Sequence, residues 1–206
     1  MESGAERKER RLQELIAIAE GRIAEGGLGA VKARDLAREL GVALGAIYNL
    51  VADLDELYLR VASRTLTRLD RALADASAAS AGAGRDAACG QLVSIALAYR
   101  SFASDNLHLW RALFEHRMSE DKPFPEWALA DQLSLFRYIL APLRELMPGV
   151  DDEERLRWAQ TMFSAVHGMV MLGLEKKFVA VPIKQLDRQI ERFVRALCVG
   201  LSAEMA

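Results

Sequence analysis

Apolar residues recur along almost the whole chain at spacings of three and four positions, which is typical of amphipathic α-helices. No segment alternates between apolar and polar residues as a half-buried strand does. The pattern predicts nine helices, around residues 12–23, 36–40, 42–51, 53–73, 92–103, 106–118, 125–147, 151–178 and 183–205. We therefore predict an all-α fold.

Glycine and proline indicate where these helices end. Gly26 and Gly27 follow the first helix, and Gly41 separates the second from the third. Pro142 lies inside the seventh predicted helix and should kink or end it, because proline lacks the N–H that the helical hydrogen bond needs. Residues 76–88, ASAASAGAGRDAA, are small and glycine-rich, so we expect a flexible loop between two domains there.

The stretch RDLARELGVALGAIYNL, residues 34–50, consists of two short apolar-periodic runs on either side of Gly41. A tight turn of this kind occurs in helix-turn-helix motifs, whose second helix enters the major groove of DNA. Tyr48 could reach a phosphate and Asn49 an adenine edge, while the small residues before them allow close approach. The alternative is a helical corner that binds nothing. The candidate DNA contacts are Lys32, Arg34, Ala43, Leu44, Gly45, Tyr48 and Asn49.

The charge of the chain argues against a strong general attraction to DNA. The formal net charge is −2 and the sequence pI is about 6.0, and the first fifty residues contain eight cations and eight carboxylates. DNA binding must then depend on a local site, with weak non-specific affinity and a marked sensitivity to salt. The cluster RKERR at 7–11 either reaches the DNA or is a solvated, frayed terminus.

Composition and spacing argue against several classes of protein. No apolar run approaches the ~20 residues that span a bilayer, and the charged start, MESGAERKERR, does not resemble a secretory signal, so we expect a cytoplasmic protein without membrane contact. Cys89 and Cys198 lie far apart without partner spacing, which argues against a disulfide scaffold or a zinc site. We expect both to be buried as small apolar side chains.

No pattern of residues in the sequence indicates catalysis. The three histidines, His108, His116 and His167, do not have metal-ligand spacing, and neither a phosphate-binding loop nor a nucleophile elbow is present. We expect no enzymatic activity, catalytic residue, cofactor or metal.

The second half of the chain is rich in aromatic and methionine side chains. Such residues at helical spacing usually form core, but an apolar cavity with a few polar groups is also where a small ligand binds. His116 and His167 are the candidate polar groups, and a packing role is the alternative for each. We predict that a small apolar or aromatic effector contacts Tyr99, Phe102, Trp110, Phe114, His116, Trp127, Phe136, Met162, His167 and Met171.

The last two predicted helices have features of a subunit interface. Ser164 and Gly168, four positions apart, would allow a partner helix to approach closely. Apolar faces are expected from Phe163, Val166, Val170, Phe193, Leu197 and Leu201. The alternative is that these helices pack only within the monomer.

Residues 9 to about 66 resemble the DNA-binding domain of the tetracycline repressor (TetR) family. The resemblance lies in the long first helix, in ARDLARELGV and GAIY, and in the acidic step DLDELYL that leads into a connecting helix. The segments YRSFASDNLHLWRALFE (99–115) and FSAVHGMVMLGLE (163–175) resemble parts of a TetR-like C-terminal domain.

The resemblance implies a three-helix reader followed by an all-α domain that binds a ligand and dimerises. It implies a homodimer joined by a four-helix seam, in which ligand entry changes the spacing of the two reading helices on a palindromic operator. We expect a DNA-binding domain over residues 1–55 and a ligand-binding and dimerisation domain over 56–206, with a connecting helix at 54–75 and the loop at 76–88.

The chain departs from the family pattern at several positions. Lys32 and Ala43 stand where family members usually have a Ser or Thr that caps a helix, a loss that typically costs ~1 kcal/mol. Val51 replaces a usual aromatic residue, and Leu54 a frequent cation. We predict a ligand-responsive TetR-type repressor. The alternatives are an all-α ligand- or partner-binding protein that has lost DNA reading, and an activator with the same DNA contacts.

Overall fold

A computed structural model describes residues 3–118, 123–177 and 179–204. Over these residues the chain forms ten α-helices and a short 3₁₀-helix at Leu28–Ala30, with no strand, so the predicted all-α fold is confirmed. The helices are α1 Gly4–Gly26, α2 Ala33–Leu40, α3 Leu44–Ile47, α4 Leu54–Ala79, α5 Arg85–Asp105, α6 Leu107–Glu115, α7 Glu126–Ser134, α8 Arg137–Leu146, α9 Asp152–Leu174 and α10 Ile183–Glu204.

The chain divides into two compact units. The first consists of Met1–Arg68 with Asn106–Asp131, and the second of Leu69–Asp105 with Gln132–Ala206. In the first unit α1 packs against α2 and α6, and α2 packs against α3. In the second unit α5 packs against α8, α9 and α10. Helix α4 therefore contributes to both units, and α6 belongs to the same unit as the first three helices.

The core of the first unit follows the apolar period of the sequence. Helix α1 buries all five of its predicted core residues, and α2 all three, since these positions lie on one side of each helix. They are Leu12, Leu15, Ile16, Ala19 and Ile23 on α1, and Leu36, Ala37 and Leu40 on α2.

Helix α1 begins earlier than its apolar pattern predicts. The Ser3 hydroxyl accepts a hydrogen bond from the Glu6 backbone N–H at 3.1 Å, and the Glu6 carboxylate accepts one from the Ser3 N–H at 2.7 Å. This capping box satisfies two backbone donors that a helix start leaves unpaired. Residues 7–11 are consequently helical rather than a frayed terminus.

Two loops differ from the prediction. The predicted helix 125–147 is divided into α7 and α8 at Leu135 and Phe136, whereas Pro142 is buried inside α8, which continues to Leu146. The expected loop at 76–88 is restricted to 80–84, because its alanine-rich flanks extend α4 and begin α5. None of the described helices combines the length and apolar character that crossing a bilayer requires.

Candidate functional sites

The turn between α2 and α3 depends on the backbone of Gly41. Its φ of 71° and ψ of 36° are left-handed, and its N–H and that of Val42 donate to the last turn of α2, with 2.9 Å from Val42 N to Ala37 O. Left-handed geometry after a helix is characteristic of glycine. A Cβ at this position would meet no atom within 4 Å, so only the backbone conformation requires glycine here. The result is the helix–turn–helix that the sequence predicts.

Helix α3 is shorter than the predicted run at 42–51. It spans Leu44–Ile47 and continues as a hydrogen-bonded turn, with 2.9 Å from Leu50 N to Ile47 O. Its N-cap residue, Ala43, has no side-chain oxygen to accept a hydrogen bond, and the same is true of Lys32 at α2. Ile47 is fully buried and fixes α3 to the core.

The seven residues predicted to contact DNA are all exposed, and we call them the reading surface. They are Lys32, Arg34, Ala43, Leu44, Gly45, Tyr48 and Asn49. Leu44 and Tyr48 are large side chains that are 40% and 49% exposed, although Ile47, which directly precedes Tyr48, is buried. The surface thus presents an apolar and an aromatic group, two small residues and polar ends, and its contact with DNA remains a prediction.

Acidic neighbours neutralise several cations of the first unit. Arg22 donates from Nε and Nη2 to the Glu39 carboxylate at 2.9 and 2.7 Å, and Arg38 pairs with Asp35 at 2.8 Å. By contrast, the side chains of Lys32 and Arg34 make no ion pair or hydrogen bond with the described residues. Both side chains are exposed.

Four rings of the second unit form a cluster, which we call the aromatic cluster: Tyr99, Phe136, Phe163 and His167. Phe163 lies 5.8 Å from Tyr99, 5.7 Å from Phe136 and 5.5 Å from His167 between ring centroids. The Tyr99 hydroxyl and His167 Nδ1 are hydrogen-bonded at 2.8 Å, and burial lowers the pKa of His167. The cluster combines apolar faces with one polar pair, as ligand sites commonly do.

The ten residues predicted to contact a ligand belong to different units. Six are in the second unit: Tyr99, Phe102, Phe136, Met162, His167 and Met171. Four are in the first: Trp110, Phe114, His116 and Trp127. This division follows from α6, which carries two of the four and packs on α1.

The four predicted ligand contacts in the first unit differ in their burial and in the side chains that they contact. Trp110 is fully buried and packs edge-on against Phe114 at 5.6 Å, whereas Phe114 and Trp127 are exposed. His116 Nε2 lies 3.5 Å from an Asp55 oxygen, and its ring lies 5.0 Å from that of Tyr58. Burial lowers the pKa of His116, while Asp55 and Asp53 oppose that shift.

Several apolar residues of the last two helices, which the sequence analysis assigned to a subunit interface, are covered by the chain itself. Val166, Val170 and Leu201 are buried within the chain, and Phe163 belongs to the aromatic cluster. Phe163 and His167 are four positions apart on α9, and that spacing could have linked them, although the sequence analysis assigned Phe163 to a subunit interface. Exposed positions on the two helices include Ser164, Leu172 and Val199, the last 71% exposed.

Residues 92–197 match the family described as "Tetracyclin repressor-like, C-terminal domain". No curated protein matches the chain.

Solved structures resemble the chain over nearly its whole length. A protein of unknown function from Rhodococcus sp. RHA1 is 22% identical, with a TM-score of 0.70, over 95% of each chain. A TetR variant from Acinetobacter baumannii AYE in complex with minocycline is 17% identical, with a TM-score of 0.61, over 93% of this chain and 96% of that one. The TetR family transcriptional regulator PfmR from Thermus thermophilus is 18% identical, with a TM-score of 0.53, over 93% of each chain. Because the family match covers more than half of the 206 residues and the fold agrees with it, the chain belongs to the TetR-like family of transcriptional regulators.

Proposed function

We propose that the chain is a ligand-responsive repressor, which binds a palindromic operator as a homodimer and is released by a small apolar or aromatic effector. The observation that carries the proposal is the reading surface. Its residues lie along a helix–turn–helix, and none of them is buried. Two of them are cations without a partner among the described residues.

Each part of the reading surface suits a different contact with a double helix. Arg34 and Lys32 would bind phosphates and orient the motif. Tyr48 would donate its hydroxyl to a phosphate, while Asn49 would pair with an adenine edge and Leu44 would touch a thymine methyl. Gly45 has open space where a Cβ would be, so it would let DNA approach the backbone.

The aromatic cluster supports an effector that contains rings. A planar apolar molecule could pack on Phe136 and Phe163, and a polar group on it could replace one partner of the hydrogen bond between Tyr99 and His167. The TetR variant from Acinetobacter baumannii AYE was solved with minocycline, so a similar fold accommodates a small molecule. A thermal-shift screen of ring-containing compounds tests this part, since a ligand that binds only the folded state raises the melting temperature.

We infer a homodimer through exposed positions of α9 and α10, among them Ser164, Leu172 and Val199. Two copies related by a twofold axis would place two reading surfaces on half-sites roughly 34–36 Å apart, or a multiple of that distance. This proposal includes a functional division into a DNA-binding domain over residues 1–55 and a ligand-binding and dimerisation domain over 56–206. It also includes a location in the cytoplasm.

The test is a fluorescence-anisotropy titration of the DNA that flanks the coding region, over a series of salt concentrations. Arg34→Ala with Tyr48→Ala should weaken specific binding at least roughly tenfold, and loss of the Arg34 phosphate contact should reduce the salt slope by about 1. Arg144→Ala is the matched control, because Arg144 is an exposed arginine on α8, outside both the reading surface and the helices of the inferred dimer interface. The absence of any specific site at low salt would rule the repressor out.

A second candidate is an all-α ligand- or partner-binding protein that no longer reads DNA. The missing caps at Lys32 and Ala43, and the pairing of Arg22 and Arg38 with carboxylates, favour it. It predicts effector binding in the thermal-shift screen together with DNA binding that is equally weak for every sequence.

A further inference from the structure

The basic cluster RKERR at residues 7–11 lies outside the reading surface, but it is part of a capped helix. Ser3 caps α1, and the Arg7 backbone N–H donates to the Ser3 carbonyl at 3.1 Å. The backbone of the cluster is therefore held in the hydrogen-bonded helix, which fixes the side of α1 on which each of its side chains lies.

The four cations of the cluster differ in how their charge is balanced. Arg10 and Arg11 both pair with Glu14, at 3.0 and 3.3 Å. Arg7 and Lys8 have no carboxylate three or four positions away on α1, where helical neighbours lie. Both are exposed, and neither side chain makes an ion pair or hydrogen bond with a described residue.

The same division holds over the first fifty residues, which contain eight cations. Four of them pair with carboxylates of the described chain: Arg10, Arg11, Arg22 and Arg38. The other four make no ion pair with a described residue, and they are Arg7, Lys8, Lys32 and Arg34. Although this stretch has no net charge, its unbalanced positive charge is thus concentrated at the reading surface and at the start of α1.

Arg7 lies on the side of α1 that faces the turn of the helix–turn–helix. Arg11, four positions further along α1, donates from Nη1 to the Leu40 carbonyl at 3.1 Å. Leu40 is the last residue of α2, and Gly41 follows it. Because positions i and i+4 lie on the same side of a helix, Arg7 is about 6 Å from Arg11 along α1 and on the same side.

Lys8 lies next to Arg7, in line with the buried side of α1. Leu12, four positions after Lys8, is buried in the core cluster that also contains Leu40 and Ile47. Lys8 continues this row past the end of the core, where its side chain is exposed. Both cations therefore lie one helical turn beyond side chains that contact the helix–turn–helix.

We propose that Arg7 and Lys8 form a second DNA contact, which binds phosphates at the edge of the groove that the reading surface enters. This inference rests on the proposed DNA-binding function and adds to it two residues outside the reading surface. In a helix–turn–helix the N-terminal residues of the second helix contact base edges, so the turn before α3 lies close to the DNA. Cations beside that turn meet the phosphate backbone and release its counterions.

A contact with phosphate positions the protein but carries no information about sequence. Arg7 and Lys8 should therefore contribute equally to the binding of any duplex, whereas Asn49 and Leu44 of the reading surface should contribute only where the bases suit them. This difference separates the two parts of the interface.

The test is a fluorescence-anisotropy titration of the full chain against two labelled duplexes, over a series of salt concentrations. One duplex is the DNA that flanks the coding region, and the other has the same length and a shuffled sequence. Arg7→Gln with Lys8→Gln should weaken the binding of both duplexes to the same extent. It should reduce the salt slope by about 2 for each bound chain, since each phosphate contact contributes about 0.9.

Two further variants are the controls. Arg7→Lys with Lys8→Arg keeps both charges and should preserve the slope. Arg71→Gln with Arg144→Gln removes the same charge from exposed positions of the second unit and should also leave the slope unchanged. Circular dichroism checks that the helices persist in every variant.

Three results would overturn the proposal. They are an unchanged slope in Arg7→Gln with Lys8→Gln, an equal fall in the control that lacks Arg71 and Arg144, and a loss confined to the flanking duplex. The last result would indicate that these side chains read bases rather than bind phosphate.

The two duplexes also separate this proposal from the proposed repressor function. A wild type that binds both duplexes equally would rule out the repressor, while a slope reduced by Arg7→Gln with Lys8→Gln would still establish the phosphate contact. A wild type that prefers the flanking duplex, with an unchanged slope in that variant, would overturn the contact alone. A wild type that binds neither duplex at low salt would overturn both.

Discussion

At the scale of single residues, burial controls the protonation of His116 and His167. Burial lowers the pKa of His167, and its Nδ1 is hydrogen-bonded to the Tyr99 hydroxyl at 2.8 Å. Burial is also the largest influence on His116, although Asp55 and Asp53 work against it. Both rings are therefore shifted toward the neutral form in the folded chain.

This shift predicts a loss of stability on acidification. As the pH falls through about 6.5, the ordinary histidine value, the unfolded chain takes up protons that the folded chain does not, so the free energy of unfolding decreases. The decrease ends once the pH is below the folded-state pKa values. Urea denaturation of wild type and His167→Gln between about pH 5 and about pH 8 measures it.

His167→Gln should show a shallower pH dependence, because glutamine does not titrate. Comparison of the two proteins at the alkaline end separates the loss of packing from the loss of a titrating group. A wild-type stability that is flat over this range, or an identical slope in the variant, would contradict the role of burial at His167.

At the scale of elements, two glycines of the helix–turn–helix have opposite conformational requirements. Gly41 has a φ of 71°, in the left-handed region, whereas Gly45 lies within α3 and has no positive φ. An added Cβ would meet no atom within 4 Å at either position. Steric crowding is thus the same, and only the backbone conformation differs.

Alanine should consequently have opposite effects at the two sites. We expect Gly41→Ala to lower the free energy of unfolding by about 1–2 kcal/mol, because a side chain disfavours left-handed backbone. We expect Gly45→Ala to raise it by about 0.5–1 kcal/mol, because alanine loses less entropy in a helix. Chemical denaturation of the two variants and the wild type measures these free energies of unfolding. An equal change in both variants would mean that the backbone at Gly41 does not disfavour a side chain.

At the scale of the whole molecule, regulation by the proposed route requires two copies of the chain. Val199 on α10 is 71% exposed, compared with 42% for Leu172 on α9. Val179, before α10, is 84% exposed and lies outside both α9 and α10. Substitutions at the two valines therefore distinguish the effect of a position on the surface of α10 from the effect of changing any exposed valine.

Val199→Arg should shift the chain from dimer to monomer, with a dimer dissociation constant raised at least roughly tenfold, because an unpaired charge at the centre of an apolar contact is costly. Val179→Arg should leave the dimer unchanged. Analytical ultracentrifugation at several concentrations measures both, and circular dichroism checks that the helices persist. A Val199→Arg protein that remains dimeric would remove α10 from the interface.

Local features of the fold were predictable from the sequence because they depend on neighbours along the chain. The apolar period of α1 and α2 identified all eight of their buried residues, since the positions i, i+3 and i+4 lie on one side of a helix. Gly41 indicated the turn because few other residues adopt left-handed backbone. The exposure of Tyr48 beside the buried Ile47 follows from the same geometry.

By itself, then, the sequence determined which side of each helix is apolar, where the helix–turn–helix lies, and the family to which the chain belongs. Only the tertiary structure decided what covers each apolar side: Phe163 joins the aromatic cluster, Val170 is buried within the chain, and α6 packs with the first unit. The reason is that periodicity describes one helix at a time, whereas a contact between distant segments depends on how helices pack against one another.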